Sequence, residues 1–183
     1  GIEIAAKKLT ELNYEIISTG NTFEYLKEKG FNVIESSTIT GFRELLSGKV
    51  KSLHPEIFAP ILANEDEIKT LNNPPISVVI VNLYPFELYQ GKNADIDTLI
   101  KNIDIGGVAL LRAGAKNYKN VIVISDIEDY GTDFENVNEK QREELALKVC
   151  KKTSNYDRVI FSELSRNFGL NEEKDEEFLN YSF

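Results

Sequence analysis

The apolar positions of this chain change period repeatedly along its length. Over residues 2–12, Ile4, Ala5, Leu9 and Leu12 recur at helical spacing, and Tyr14-Glu15-Ile16-Ile17-Ser18 then switches to a short β-type run. The alternation repeats, with a helix over about 22–29 stopped by Gly30 and a strand at Phe31-Asn32-Val33-Ile34-Glu35. Helices of this length between strands imply crossover connections and hence a parallel sheet.

The clearest strand is Ile76-Ser77-Val78-Val79-Ile80-Val81-Asn82-Leu83, a nearly continuous β-branched run after Pro74-Pro75. Such a run predicts a strand covered on both faces, at the centre of the sheet. A helix over 105–116 leads to a second buried-type strand, residues 120–125. Beyond Gly131 the β pattern stops. Residues 138–168 carry two helical patterns, broken near Thr153-Ser154-Asn155, that predict outer helices. The acidic run 171–177 predicts a solvated linker, with the apolar stretch 178–183 leading toward further chain.

Composition narrows the function classes. At 183 residues with 42% hydrophobic content, the expectation is one domain with one substantial core. A net charge of −9 argues against non-specific binding to nucleic acid or anionic lipid, so an anionic ligand must be held by a local group of donors. No apolar run reaches the ~20 residues that span a bilayer, and the first residues show no signal-peptide pattern. The single cysteine, Cys150, has no intrachain disulfide partner and reads as inert packing in a helix, which fits a cytoplasmic protein. The absence of methionine, with a first residue that already reads as helical, points to an N-terminus that lies upstream.

In an open parallel sheet, ligands bind where strands end and helix N-termini present free N–H groups. Four polar segments fall at or near such positions. Ser18-Thr19-Gly20-Asn21-Thr22 is a hydroxyl-rich strand-to-helix turn that suits a phosphate, but taken alone it reads first as an ordinary helix start capped by Thr22. Gly48-Lys49-Val50-Lys51-Ser52-Leu53-His54-Pro55 gathers two lysines, a serine and the only histidine in an acidic protein, which reads as an anion site or as a solvated basic turn. With no partner in sequence, His54 reads as a structural, hydrogen-bonded histidine rather than a base.

The third segment, Asn82-Leu83-Tyr84-Pro85-Phe86, ends a strand in an amide and a phenol, and Tyr84 alone would be rim packing. The fourth, Ile103-Asp104-Ile105-Gly106-Gly107, opens the helix that carries Arg112 and Lys116. There Asp104 reads as an N-cap, and Lys116 as a cation favoured at a helix C-terminus.

Taken in order, these segments, with Thr40-Gly41-Phe42-Arg43 leading into the second and Leu110-Leu111-Arg112-Ala113-Gly114-Ala115-Lys116-Asn117 following the fourth, closely resemble the inosine monophosphate (IMP) cyclohydrolase domain of the bifunctional purine-biosynthesis family. The resemblance covers residues 1–168. It implies a methylglyoxal-synthase-like α/β fold, a doubly wound parallel sheet with flanking helices and a C-terminal helical extension. Residues 169–183 would be a linker to a folate-dependent transformylase domain. Family members carry a further strand with a phosphate-binding lysine before the position of Gly1. They also have a second glycine where this chain has Asn21, and an arginine where it has Lys49, a change that keeps the charge and loses the bidentate fork.

The implied reaction closes the purine ring of a formamidoimidazole carboxamide ribonucleotide (FAICAR) to give IMP and water, with no metal and no organic cofactor. Matched position by position, the resemblance assigns Lys51, Tyr84, Asp104 and Lys116 to the reacting base. It assigns Ser18, Thr19, Gly20, Asn21, Thr22, Lys49 and Ser52 to the phosphate, with Asn82, Ile105 and Gly106 as further binding positions. Asp104 and Lys116 are expected to form a charge pair that handles the carboxamide proton, while Lys51, Tyr84 and the N–H groups near Ile105 and Gly106 stabilise the oxyanion. A cytoplasmic homodimer is the implied assembly. Two other readings stay open: a phosphate-eliminating lyase of the methylglyoxal synthase kind, and a non-catalytic nucleotide-binding module.

Overall fold

The computed structural model describes residues 1–42, 50–89 and 94–170, which fall into two compact units. The first unit comprises residues 1–83 and 105–150, the second residues 84–104 and 151 onward.

In the first unit, α1 (Glu3–Glu11), β1 (Ile16–Ser18), α2 (Gly20–Glu28) and β2 (Val33–Glu35) follow the predicted alternation. The strands β1 and β2 are parallel, with Ile16 opposite Val33 and Ser18 opposite Glu35. Two short helices follow, α3 (Ser36–Thr40) and α4 (Pro55–Leu62). The imidazole of His54 caps α4, its Nδ1 accepting the Glu56 N–H at 3.2 Å, with Pro55 at the first helical position where no N–H is needed. The histidine is therefore the hydrogen-bonded structural residue expected from sequence.

Strand β3 (Val78–Ile80) is shorter than the run 76–83 predicts, and pairs in parallel with β4 (Ile122–Ile124), Val78 opposite Ile122. Side chains alternate across this pair. On one face, Ile122 and Ile124 pack with Ala5 and Leu9 of α1 and with Tyr130, Phe134 and Leu145, while Val78 and Ile80 border the cluster. On the other, Val123 and Val79 meet Gly114 of α6 (Gly106–Lys116) so closely that a Cβ there would lie 3.0 Å from Val123 Cγ2. Helices thus cover both faces, as a β-branched run requires.

Among the described residues the parallel strands form two ladders, β1–β2 and β3–β4. Among the described residues β3 has β4 as its one paired strand, and β4 is the fully buried strand of the pair. The methylglyoxal-synthase-like α/β class itself is retained in the parallel strands and their flanking helices.

Helix α5 (Ile96–Lys101) lies in the second unit. The predicted break near residues 153–155 is absent, because α7 runs unbroken from Glu139 to Phe168. The segment holds neither proline nor glycine, and Thr153 is buried on the helix face that also carries Val149, Tyr156 and Val159. Cys150, expected in packing, is exposed on this helix. The acidic run 171–177 and the stretch after it lie outside the described residues.

Candidate functional site

The first unit converges on two glycines. Gly20 follows β1 and opens α2 with a left-handed backbone, φ +51°. A Cβ at this position would lie 2.6 Å from Nζ of Lys51, so the lysine ammonium occupies the space that the missing side chain leaves. Any other residue there would both strain the backbone and displace the cation. Gly106, the first residue of α6, plays the same part for the neighbour of Lys51: a Cβ on it would lie 3.0 Å from the Ser52 hydroxyl oxygen.

The segment 50–52 thus threads between the start of α2 and the start of α6, placing a cation at one helix N-terminus and a hydroxyl at the other. A positive helix end and an ammonium together favour an anion or a developing oxyanion. Ser18, Thr19 and Asn21 border the Gly20 turn, with Ser18 and Thr19 half-buried and Asn21 exposed. Thr22 does not cap α2, since the helix begins at Gly20 and Thr22 is its third residue, exposed to solvent. Lys49 lies outside the described residues.

The fourth segment departs from its predicted local role. The helix α6 starts at Gly106 after Ile105, so Asp104 is not its N-cap. Ile105 is exposed just ahead of Gly106. At the other end, Lys116 is the last residue of α6 and exposed, which puts its Cα about 15 Å along the helix axis from that of Gly106. Asn82 is exposed in the chain that leaves β3.

Tyr84 and Asp104 belong to the second unit. A 3-10 turn at Phe86–Tyr89 folds the chain back, stacking the rings of Tyr84 and Tyr89 with centroids 6.3 Å apart and hydroxyl oxygens 3.2 Å apart. Hydrogen bonding to Tyr84, aided by desolvation, pushes the Tyr89 phenol above its ordinary value. The Asn102 amide donates to the Tyr89 oxygen at 3.1 Å and to the Thr98 carbonyl at 2.8 Å. Tyr84 itself remains 42% exposed.

Asp104 is tied to the same group of rings through its backbone, whose N–H donates to the Tyr156 hydroxyl at 2.8 Å. Tyr156 is almost wholly buried and meets Phe86 edge-on, 6.1 Å between centroids, and Phe86 in turn meets Tyr89 edge-on. Sequence reading missed Tyr89, Asn102 and Tyr156. The helical spacing of Val149, Tyr156 and Val159 marks Tyr156 as core, but nothing in that periodicity says that its hydroxyl reaches Asp104.

Comparison with known proteins agrees with this architecture. The family model of the MGS-like domain matches residues 1–109, and the chain belongs to that family. A second model, the AICARFT/IMPCHase bienzyme, matches residues 114–182, so the chain corresponds to the IMP cyclohydrolase part of such bienzymes. Curated relatives named bifunctional purine biosynthesis protein PurH include one from Persephonella marina, 46% identical over 97% of this chain and 37% of that protein. Another, from Fusobacterium nucleatum, is 45% identical over all of this chain and 38% of that protein. The chain therefore spans just over a third of the length of these relatives. A solved structure described as the crystal structure of ForH superimposes with a TM-score of 0.72 at 30% identity, covering 87% of this chain and 90% of that one.

Proposed function

We propose that this chain closes the second ring of the purine, converting FAICAR to IMP and water in purine biosynthesis. The placement of Lys51 against Gly20 and Ser52 against Gly106 carries the reading, because it supplies a cation and two helix N-termini to one cradle. The similarity to purine biosynthesis proteins over nearly the whole chain supports a purine ribonucleotide substrate.

In the reaction, the carboxamide nitrogen attacks the formyl carbon and loses one proton while the formyl oxygen gains one. The hydroxyl then leaves as water with the proton of the former formamido nitrogen. An amide nitrogen is a poor nucleophile, so the barrier falls chiefly by stabilising charge on the formyl oxygen and moving these protons. Lys51, Tyr84 and the N–H groups at Ile105 and Gly106 serve the oxygen. Asp104 and Lys116 are assigned to the carboxamide and its proton. Ser18, Thr19, Gly20, Asn21, Thr22, Lys49 and Ser52 hold the phosphate, with Asn82 in support. A cytoplasmic homodimer joined to a transformylase domain completes the proposal.

An ultraviolet assay of ring closure with FAICAR tests it, run on this chain and on one extended at the N-terminus. Closure that is lost in Lys51→Ala and in Asp104→Ala supports the assignment. Full single-turnover closure in both variants would overturn it, and binding of IMP without any turnover would favour a nucleotide-binding module.

A further inference from the structure

The second unit binds two of the proposed base-reacting residues into one cluster, although 20 positions separate them in sequence. Tyr84 stacks on Tyr89, Tyr89 meets Phe86, Phe86 meets Tyr156, and Tyr156 accepts the backbone N–H of Asp104. Phe86 and Tyr156 are buried, so these contacts have little freedom to rearrange. We propose that Tyr156 and Tyr89 are positioning residues for ring closure, Tyr156 by anchoring the backbone of Asp104 and Tyr89 by orienting the phenol of Tyr84. The proposal rests on the ring-closure reading above.

The directions of the hydrogen bonds give the cluster its effect. One Asn102 amide hydrogen goes to the Thr98 carbonyl, so the amide is oriented and its other hydrogen goes to the Tyr89 oxygen. Tyr89 then has its own hydroxyl proton to give to the Tyr84 oxygen, 3.2 Å away. A phenol that accepts such a bond is a better donor through its own hydroxyl, and hydrogen-bond chains strengthen in this way. The Tyr84 hydroxyl thereby keeps its own proton to donate toward the formyl oxygen.

On the other arm, the Tyr156 oxygen accepts the Asp104 N–H at 2.8 Å, beside a buried ring. The bond fixes the backbone two residues ahead of α6, and with it the point from which the Asp104 carboxylate extends. Tyr156 lies within residues 114–182, the part matched by the bienzyme, and outside the 1–109 matched by the MGS-like domain.

The test uses Tyr156→Phe and Tyr89→Phe in the full-length polypeptide, since each keeps its ring and loses only the hydroxyl. Tyr156→Phe is expected to lower kcat for closure by about ten- to a hundredfold with KM little changed, the scale of a small misplacement of a reacting group. It should also speed hydrogen exchange at the Asp104 amide, and add nothing further in an Asp104→Asn background. Tyr89→Phe should lower kcat by about fivefold, the scale of one hydrogen bond.

Unchanged kcat in both variants, or losses that merely follow a fall in melting temperature, would overturn the positioning roles. If the unsubstituted protein does not close the ring, the functional reading fails, and the roles fail with it. Normal closure in the unsubstituted protein and in both variants removes the roles alone.

Discussion

The Lys51 ammonium lies where a side chain on Gly20 would have to go, 2.6 Å from the position of that absent Cβ. Gly20 is therefore part of the lysine's binding pocket as well as a turn residue. Gly20→Ala forces a methyl group onto Nζ and places alanine at φ +51°, a left-handed conformation that costs about 1–2 kcal/mol. The expected outcome is at least a roughly tenfold loss of kcat/KM for ring closure in a protein that still folds, measured with circular dichroism alongside the closure assay. Lys51→Ala, which removes the cation outright, should lose about a hundred- to a thousandfold in kcat. Closure by Gly20→Ala at the unsubstituted rate would mean that the position of Lys51 is immaterial to the reaction.

Asp104 and Lys116 provide a separate test because of where Lys116 stands, at the end of α6 remote from Gly106. If the two act as one charge pair, Asp104→Ala and Lys116→Ala should each slow closure, and the double variant should be no slower than the worse single one. Additive losses in single-turnover measurements would dismiss the pair and give Lys116 an effect of its own.

The start of α5 carries a pH dependence that is independent of catalysis. Asp95 caps this helix, Oδ1 accepting the Thr98 N–H at 2.9 Å and Oδ2 the Thr98 hydroxyl at 2.7 Å. The hydroxyl bond first, and then the backbone bond, hold the carboxyl below its usual range. A group whose folded value is depressed contributes stability above its unfolded value, about 3.9, and loses it as pH falls through the folded one. Asp95→Asn is therefore expected to melt lower than the unsubstituted protein near neutrality, with the gap closing in strong acid. A difference in melting temperature that stayed constant down to the acid limit would rule out the cap as its source.

Much of the fold was legible because its signals are local. The helical spacing of Ala5 and Leu9, the β-branched run at 78–80 and the stop at Gly30 each depend on neighbours within a few residues. Periodicity reports such neighbours directly. The assignments that changed depend on partners far along the chain. Whether Thr153-Ser154-Asn155 breaks a helix is decided by what buries Thr153, and whether β3 is central is decided by which strands reach its edges.

The candidate site divides in the same way. Residue types at Lys51, Ser52, Gly20 and Gly106, and the family resemblance they carry, are properties of the sequence alone. That Lys51 fills the void at Gly20, that His54 spends its Nδ1 on a helix cap, and that Asp104 hangs by its backbone from Tyr156 were decided by the tertiary structure. Sequence determines which groups are available and the short-range order they prefer. Distances between groups 31 or 52 residues apart are set by packing of the whole chain, and the chemistry depends on those distances.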